Sequence, residues 1–404
     1  MVIYGAFFLR AFSFVLLLPL FTRVIEPVTW GSILAAQALA IWLALLIDFG
    51  FTLSLARKVA VHRDNLDQVR SDVGNVYSAK LLLIIPALFV CFLSTQFGLL
   101  AQFPALALWA LTWAVAQGLS PLWYYQATEK MYHLSIIEIL GRLIYLGLNI
   151  LFVRSTVDAY LILAFQSLSL MAVNIVALSQ LWRETKGFAL SLAGGWQALK
   201  EGFVLSGFSL LTSVYTTAST FLFGLFALPS VVPVYGNADR LIRSGISLLA
   251  PLNQLLLPRS ARAFAQSPSS GLALAKQLLI IYAAIGLIGL AVGWLLAPFI
   301  IDLIFGSRYT QSLIYFRWLL VLFPLTAVNT VIVYHILIPN GEELIVTRVY
   351  TIISLLAIIM IVLLVPKLGA QGMVYSMLAP EVLALAALAF YASATTLRRN
   401  KNVK

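Results

Sequence analysis

The chain has 404 residues, of which 62% are hydrophobic and only 10% are charged, and its formal net charge is +11. Soluble domains carry about 25% charged residues, so the composition excludes an ordinary soluble protein and indicates an integral membrane protein. The positive charge does not indicate a nucleic-acid partner, because cations of membrane proteins collect in cytoplasmic loops and against anionic lipid.

Twelve apolar segments are long enough to cross a bilayer, at about 20 residues per span. They run approximately over residues 4–22, 31–56, 76–96, 104–125, 134–153, 159–182, 203–227, 232–258, 273–297, 312–337, 345–365 and 370–396. The longest polar connections are residues 57–75, 183–202 and 259–272, and none has room for a soluble domain. The sequence therefore predicts an all-α polytopic membrane protein. Most loop Lys and Arg residues fall on one side if both termini are cytoplasmic, which is the predicted orientation.

The chain also repeats itself weakly. Residues 79–85 resemble residues 275–281, and residues 30–57 share spaced identities with residues 235–262. These likenesses pair span 2 with span 8 and span 3 with span 9, which indicates a parallel repeat of six spans. We therefore expect two six-helix bundles that face a central cleft, an N-terminal bundle of residues 1–190 and a C-terminal bundle of residues 191–404.

The most informative charges lie in residues 235–243, inside a predicted span. A charge in hydrocarbon costs at least about 2.5–3.5 kcal/mol, so it must face protein or water. Asp239, Arg240 and Arg243 fall within five positions, and Asp239 and Arg243 share a face if the segment is helical. They form either an internal ion pair with a further arginine near an interface, or a polar cavity that accepts an anionic group.

Charged residues of the N-terminal spans are open to two interpretations each. Arg10 either extends to the membrane interface or lines a cavity. Asp48 either pairs with an arginine or takes up a proton or a cation. Glu138 and Arg142 are four positions apart with the acid first, so they form either a neutralising pair without function or part of the cavity.

The same holds in the C-terminal spans. Arg317 lies beside Trp318 and either reaches the outer interface or lines the cavity. Glu381 follows Pro380, which is expected to kink the helix, and the acid is either structural or holds a coupling ion.

Several other residues are expected at the membrane interfaces. Lys80 and its repeat-related counterpart Lys276 are interpreted as anchors at the cytoplasmic side, and His335 as an interface residue. Residues 123–125, Trp-Tyr-Tyr, are interpreted as an interfacial aromatic belt rather than a sugar platform. Cys91 is the single cysteine, and no Cys/His ligand spacing occurs, so we expect no disulfide within the chain, no metal site and no cofactor.

Four sequence motifs carry a resemblance to a known family. They are LPLFTRVI at residues 18–25, DFGF at 48–51, PLWYYQATEK at 121–130 and ADRLIR at 238–243. In this order they resemble the polysaccharide flippases of the MOP superfamily, the Wzx-type transporters of lipid-linked O-antigen repeat units, and the likeness extends over nearly the whole chain. The resemblance implies a MOP/MATE-like pair of six-helix bundles with alternating access. It also implies transport of an undecaprenyl-pyrophosphate-linked oligosaccharide between the leaflets of the bacterial inner membrane.

A pyrophosphate crossing the membrane needs counter-charges, and guanidinium groups grip phosphate in two places. The candidate substrate-binding residues are therefore Arg10, Arg142, Arg240, Arg243 and Arg317. The candidate ion-coupling residues are Asp48, Asp239, Glu138 and Glu381. The expected partners are the lipid-linked oligosaccharide, membrane lipid, H⁺ or Na⁺, and the polysaccharide polymerase machinery, whereas nucleic acid is not expected.

Two other functions compete with this one. A multidrug or cation exporter of the same superfamily would need a cleft dominated by acids and aromatic rings, whereas arginines outnumber carboxylates among these candidates. A membrane-embedded polysaccharide polymerase or ligase would need catalytic residues on a sizeable outer loop. No catalytic spacing or phosphate-binding glycine loop occurs in the sequence, so we expect no enzyme.

Overall fold

The computed structural model of the chain describes residues 2–52, 55, 59 and 65–402; the side chains of residues 3, 4, 7, 10, 11, 203–209, 211, 212, 214–216 and 395–402 lie outside this description. Every regular element in these ranges is helical, which confirms the predicted all-α class. The helices of at least six residues are α1 (Val2–Val24), α2 (Pro27–Asp48), α3 (Leu66–Ser94), α4 (Pro104–Gly118), α5 (Leu122–Ala127), α6 (Met131–Phe152), α7 (Ala159–Glu184), α8 (Leu192–Thr217), α9 (Ser219–Phe226), α10 (Val232–Ile246), α11 (Leu249–Gln266), α12 (Pro268–Phe305), α13 (Ser312–Leu319), α14 (Leu322–Ile332), α15 (Glu343–Leu368) and α16 (Ala370–Asn402).

Helices occupy every one of the predicted spans. Within the described ranges, 9 helical stretches are long and apolar enough to cross a membrane, and a shorter apolar helix covers Phe12–Val24. The predicted spans 203–227 and 232–258 are each divided between two helices. The number of twelve spans therefore stays a prediction, while the polytopic membrane class is confirmed.

The polar connections predicted at 57–75, 183–202 and 259–272 are wrong in extent. Helix α3 already begins at Leu66, α8 begins at Leu192, and α11 and α12 leave only Ser267 between them. Apolar windows locate the part of a helix that lies in hydrocarbon, whereas the hydrogen-bonded backbone continues into polar sequence wherever caps and packing allow it. Ser267 supplies such a cap, because its hydroxyl accepts from the Ser270 N–H at 3.1 Å and Pro268 follows at the first helical position.

The chain forms two compact units, residues 1–233 and 234–404. In the first unit α2 is the central helix, since 78% of its apolar window is buried. Its close approach to neighbours depends on small residues: a Cβ on Gly31 would lie 2.8 Å from the Pro233 ring. In the second unit α12 packs against α11 and α14, and α16 packs against α14 and α15. The predicted boundary between residues 190 and 191 separates the two copies of the sequence repeat, which is a different division from that into compact units. It therefore stays a prediction.

Candidate functional site

The segment 235–243 lies on α10 and forms a buried ion pair. The Arg243 Nε donates to the Asp239 Oδ2 at 2.8 Å. Asp239 is 5% exposed, and the buried Tyr235 hydroxyl lies 3.5 Å from its other carboxylate oxygen. The pair forms because residues four apart lie on one face of a helix. Only Asp239 is enclosed, since the Arg243 side chain remains 33% exposed.

A second carboxylate, that of Glu381, lies in the same unit as this ion pair, one helical turn after a residue that contacts Arg243. Glu381, on α16, is buried and accepts a hydrogen bond from Asn329 Nδ2 at 2.9 Å. Arg243 Nη2 lies 3.9 Å from the Met377 sulfur, one turn before Glu381. We call Asp239, Arg243, Asn329, Met377 and Glu381 the α10–α16 cluster. The structure thus brings three sequence-predicted site residues, Asp239, Arg243 and Glu381, into one region of the second unit.

The first unit contains an ion pair that the sequence interpretation missed. Lys80 Nζ, on α3, lies 2.8 Å from Asp48 Oδ1 at the end of α2 and donates to the Gly118 carbonyl at 2.7 Å. The Thr52 hydroxyl donates to the same Asp48 oxygen at 2.6 Å. The Lys80 side chain is completely buried, so its interpretation as an interface anchor is wrong, whereas the repeat-related Lys276 is exposed. The sequence leaves open whether Asp48 pairs with an arginine or takes up a proton or a cation, and its ion-pair partner in the structure is this lysine.

Glu138 and Arg142 lie on α6 and line one pocket. The pocket has a cavity volume of about 30 Å³ and further walls from α4 and α7 that carry Gln117, Gln166 and Ser169. Both charged side chains are half-buried. Their four-residue spacing places a carboxylate and a guanidinium in the wall of the same pocket, and their role in substrate binding or ion coupling stays a prediction.

The remaining predicted arginines are placed differently. Arg317 lies on α13 with its guanidinium 5.2 Å from the centre of the Trp294 ring, a cation–π contact on a ring that is 47% exposed. Arg240 is half-buried on α10, and the Arg10 side chain lies outside the described residues. These arginines are expected to share one cleft with Arg142. Because the residues belong to two different units, the shared cleft stays a prediction.

Two further interface interpretations are wrong. Trp123, Tyr124 and Tyr125 are buried within the first unit, and the Tyr124 hydroxyl donates to Glu184 Oε2 at 2.6 Å. Lys130 Nζ lies 2.7 Å from the same oxygen. The motif at 121–130 therefore connects α5 to the end of α7 instead of forming an aromatic belt, because the Tyr124 and Tyr125 hydroxyls both bond to residues of α7.

His335 is also buried, not interfacial. Its Nδ1 lies 2.9 Å from the Ser260 hydroxyl, and its ring meets the Tyr282 ring edge-on at 5.9 Å. It lies on a single π-helical turn, Val333–Leu337. Such turns are rare and often occur at functional sites. No local sequence pattern distinguishes this histidine from one at an interface, because both of its partners are distant in sequence. Ser260 is 75 residues away, and Tyr282 lies on another helix.

Comparison with known proteins places this arrangement among membrane transporters. The profile of a family described as "Polysaccharide biosynthesis protein" matches residues 3–264. A Shigella dysenteriae protein named "Putative O-antigen transporter" is 26% identical over 388 residues, which cover 94% of this chain and 95% of that protein. A protein of the same name from Escherichia coli strain K12 is 26% identical over 381 residues, covering 91% and 90%.

Solved structures share the fold. A multidrug resistance MATE family transporter of the MOP superfamily, in an inward-facing conformation, superposes with a TM-score of 0.70 at 15% identity, covering 95% of both chains. The lipid II flippase MurJ, in an inward closed conformation, superposes with a TM-score of 0.67 at 14% identity, covering 99% of this chain and 90% of MurJ. These likenesses confirm the predicted MOP/MATE-like fold.

Proposed function

The chain belongs to the polysaccharide biosynthesis protein family, whose profile covers residues 3–264, and we propose that it is a flippase that moves lipid-linked oligosaccharides across the bacterial inner membrane. The cargo is an undecaprenyl-pyrophosphate-linked repeat unit used for O-antigen or other surface polysaccharide. The names of two relatives that align over at least 90% of their length support this proposal. Transport requires no catalytic residues of the chain.

The observation that carries the proposal is Arg243 in the α10–α16 cluster. Its Nε is held by the buried Asp239 at 2.8 Å, while a third of the side chain remains exposed. The acid orients the guanidinium, and the exposed third of the side chain is accessible to an anionic group. Guanidinium groups suit pyrophosphate because their planar fork forms two parallel hydrogen bonds and keeps its charge. A pyrophosphate therefore exchanges its water shell for fixed donors rather than entering hydrocarbon bare.

The cluster also supports coupling to H⁺ or Na⁺. Asp239 and Glu381 place two carboxylates in the region of the Arg243 cation. Buried uncompensated charge is costly, so a proton or a cation on one acid compensates the cluster until cargo or movement changes the balance. Such an ion drives transport only if it favours one of the inward and outward states over the other. Asp48 is less suited to ion coupling, because its carboxylate already forms an ion pair with Lys80 at 2.8 Å.

The remaining predicted site residues fit the same scheme. Arg240 adds a second cation to α10, three residues before Arg243. Arg142 belongs to the pocket of the first unit. Both termini are proposed to be cytoplasmic, since that orientation places most loop cations on the inner side.

The proposal is tested by complementation of a strain that lacks its own transporter, using the full chain. Arg240→Ala and Arg243→Ala should each abolish surface polysaccharide, and lipid-linked oligosaccharide should accumulate on the cytoplasmic leaflet. Membrane insertion should be unchanged. Arg259→Ala is the matched control, because Arg259 is exposed on the neighbouring α11. Normal surface polysaccharide from both α10 variants would contradict the proposal. Deletion of the gene for this protein would also contradict it if surface polysaccharide were unchanged and resistance to cationic drugs were lost.

A further inference from the structure

A polar cavity lies between the N-terminal ends of α3 and α8, within the first unit. Its volume of about 270 Å³ is close to the lower end of the roughly 300–1,000 Å³ of pockets that hold drug-sized ligands. Its lining residues recur every three or four positions on both helices, so one face of each helix forms a wall. The polar side chains of these walls are Gln68, Ser71, Asp72, Asn75, Gln197 and Glu201. We call this hollow the α3–α8 cavity.

Glycines of α8 bring the two helices close together beside the cavity. A Cβ on Gly195 would lie 2.8 Å from the Ser78 Cβ, and a Cβ on Gly194 would overlap the Asn75 side chain. The Ser78 hydroxyl also accepts a hydrogen bond from the Ser191 N–H at 2.9 Å. The α3–α8 cavity is therefore preformed, because direct contacts between its two walls hold them in place.

Each wall of the cavity presents an amide that a carboxylate orients. On α3, Gln68 Nε2 donates to Asp72 Oδ1 at 3.3 Å. On α8, Gln197 Nε2 donates to Glu201 Oε1 at 3.2 Å. Both pairs are four residues apart and share a helix face. An amide group has two N–H donors and a carbonyl acceptor, so one such bond leaves each glutamine able both to donate to a ligand and to accept from it.

The chemistry of the lining distinguishes between ligand classes. Two carboxylates would repel a pyrophosphate, and no lysine or arginine is among the described lining residues. An apolar drug would leave the amides without partners, which costs free energy. A metal ion needs several ligands close together, and the described residues contain no group of three or more His, Cys, Asp and Glu that could hold one. Sugar hydroxyls donate and accept at once, and they match amides, a serine hydroxyl and carboxylates.

We propose that the α3–α8 cavity binds one neutral sugar residue of the cargo on the cytoplasmic side, before transport. The inference rests on the proposed function and adds to it the residues that recognise the glycan. With both termini cytoplasmic, α3 and α8 begin on the side where the oligosaccharide of an inner-leaflet lipid is located. The Gln68 and Gln197 amides contact sugar hydroxyls. Asp72 and Glu201 are positioning residues, because each holds one of these amides.

The test uses the full chain in proteoliposomes with two fluorescent probes. One is a polyprenyl pyrophosphate that carries a neutral trisaccharide, and the other is the same polyprenyl pyrophosphate without sugar. Gln68→Ala combined with Gln197→Ala removes the proposed contacts from both walls, and both side chains are exposed, so the fold should be little affected. Gln96→Ala combined with Gln102→Ala is the matched control, because it makes the same change at two exposed glutamines near the other end of α3.

The cavity variant should need about tenfold more trisaccharide probe for half-maximal flipping, the effect of losing one or two hydrogen bonds, whereas the control variant should match the wild type. Flipping of the sugar-free probe by the cavity variant should equal that of the wild type, which also reports correct folding. Equal loss for both probes, or no loss for either, overturns the sugar subsite alone. A wild-type protein that moves neither probe contradicts the proposed function instead.

Discussion

Lys80 Nζ lies 2.8 Å from Asp48 Oδ1, and the Lys80 side chain is completely enclosed by the first unit while Asp48 is 22% exposed. The Gly118 carbonyl accepts a second hydrogen bond from the ammonium group at 2.7 Å. The pair therefore connects the ends of α2 and α4 through a residue of α3. Removing one partner of such a pair leaves a charge without compensation, which costs more than the pair itself contributes.

Lys80→Met should destabilise the protein by about 3 kcal/mol, at the low end of the range for a broken buried pair because Asp48 keeps some contact with solvent. The measurement is the melting temperature of the purified protein in detergent. Lys276→Met is the control, since Lys276 occupies the repeat-related position and is exposed. Adding Asp48→Asn to Lys80→Met should recover part of the loss. Equal melting temperatures for the two lysine variants would show that the Asp48–Lys80 pair contributes nothing.

Gly74→Ala should destabilise the packing of α3 against the segment that leads into α8. A Cβ at Gly74 would collide with the Ala189 carbonyl, which is backbone and cannot turn away. Overpacking of this kind costs about 1–3 kcal/mol.

Gly147→Ala is the matched variant for Gly74→Ala. Gly147 lies inside α6, and a Cβ there would meet nothing within 4 Å. Alanine should stabilise this helix by about 0.5–1 kcal/mol. Melting temperatures that shift in opposite directions are the expected result, and a shared direction would contradict the close approach at Gly74.

Glu381→Gln should remove the ion dependence of transport without loss of folding. The amide oxygen still accepts from Asn329, which donates to Oε1 at 2.9 Å in the native protein. A neutral amide replaces a buried carboxylate, which removes the cost of keeping that charge out of water, so stability should be equal or higher.

The Glu381→Gln measurement is the flipping rate in proteoliposomes against an imposed H⁺ or Na⁺ gradient. Glu343→Gln serves as the control, because Glu343 is exposed at the start of α15. A variant whose rate follows the gradient as the wild type does would exclude Glu381 as the coupling acid.

Ser260→Ala should destabilise the second unit by about 1–3 kcal/mol, the cost of leaving a buried polar atom without its partner. The partner is His335 Nδ1, 2.9 Å from the serine hydroxyl, and His335 is completely buried. Ser269→Ala removes an exposed hydroxyl of the same unit and should change the melting temperature little. If the Ser260→Ala and Ser269→Ala variants have the same melting temperature, the Ser260–His335 hydrogen bond has no net stabilising role.

Much of the α10–α16 cluster could be predicted from local spacing. Asp239 and Arg243 are four residues apart, and helix geometry alone brings them together. Glu381 could be proposed as a functional acid because charge at membrane depth is costly, but its neighbours could not be predicted. Asn329 is 52 residues away from it, and no periodicity connects the two.

The interface interpretations failed for a shared reason. Lys80, His335 and the aromatic run 123–125 stand near the ends of apolar segments, where interfacial residues are common. A residue at this depth can face either lipid headgroups or neighbouring helices. The choice depends on how each helix is rotated, which the hydropathy pattern of an almost wholly apolar helix leaves open.

The sequence by itself determined that the chain is an all-helical membrane protein and which charges enter it, because segment length and residue type are read along the chain. Only the tertiary structure decided which of those charges are partners. Lys80 meets Asp48 across 32 residues, and Gln37 meets Gln166 across 129. Such contacts depend on how each helix is rotated and on the distance between helix axes. Rotation and distance are determined by the packing of residues that are far apart in sequence, such as Gly141 and Val173.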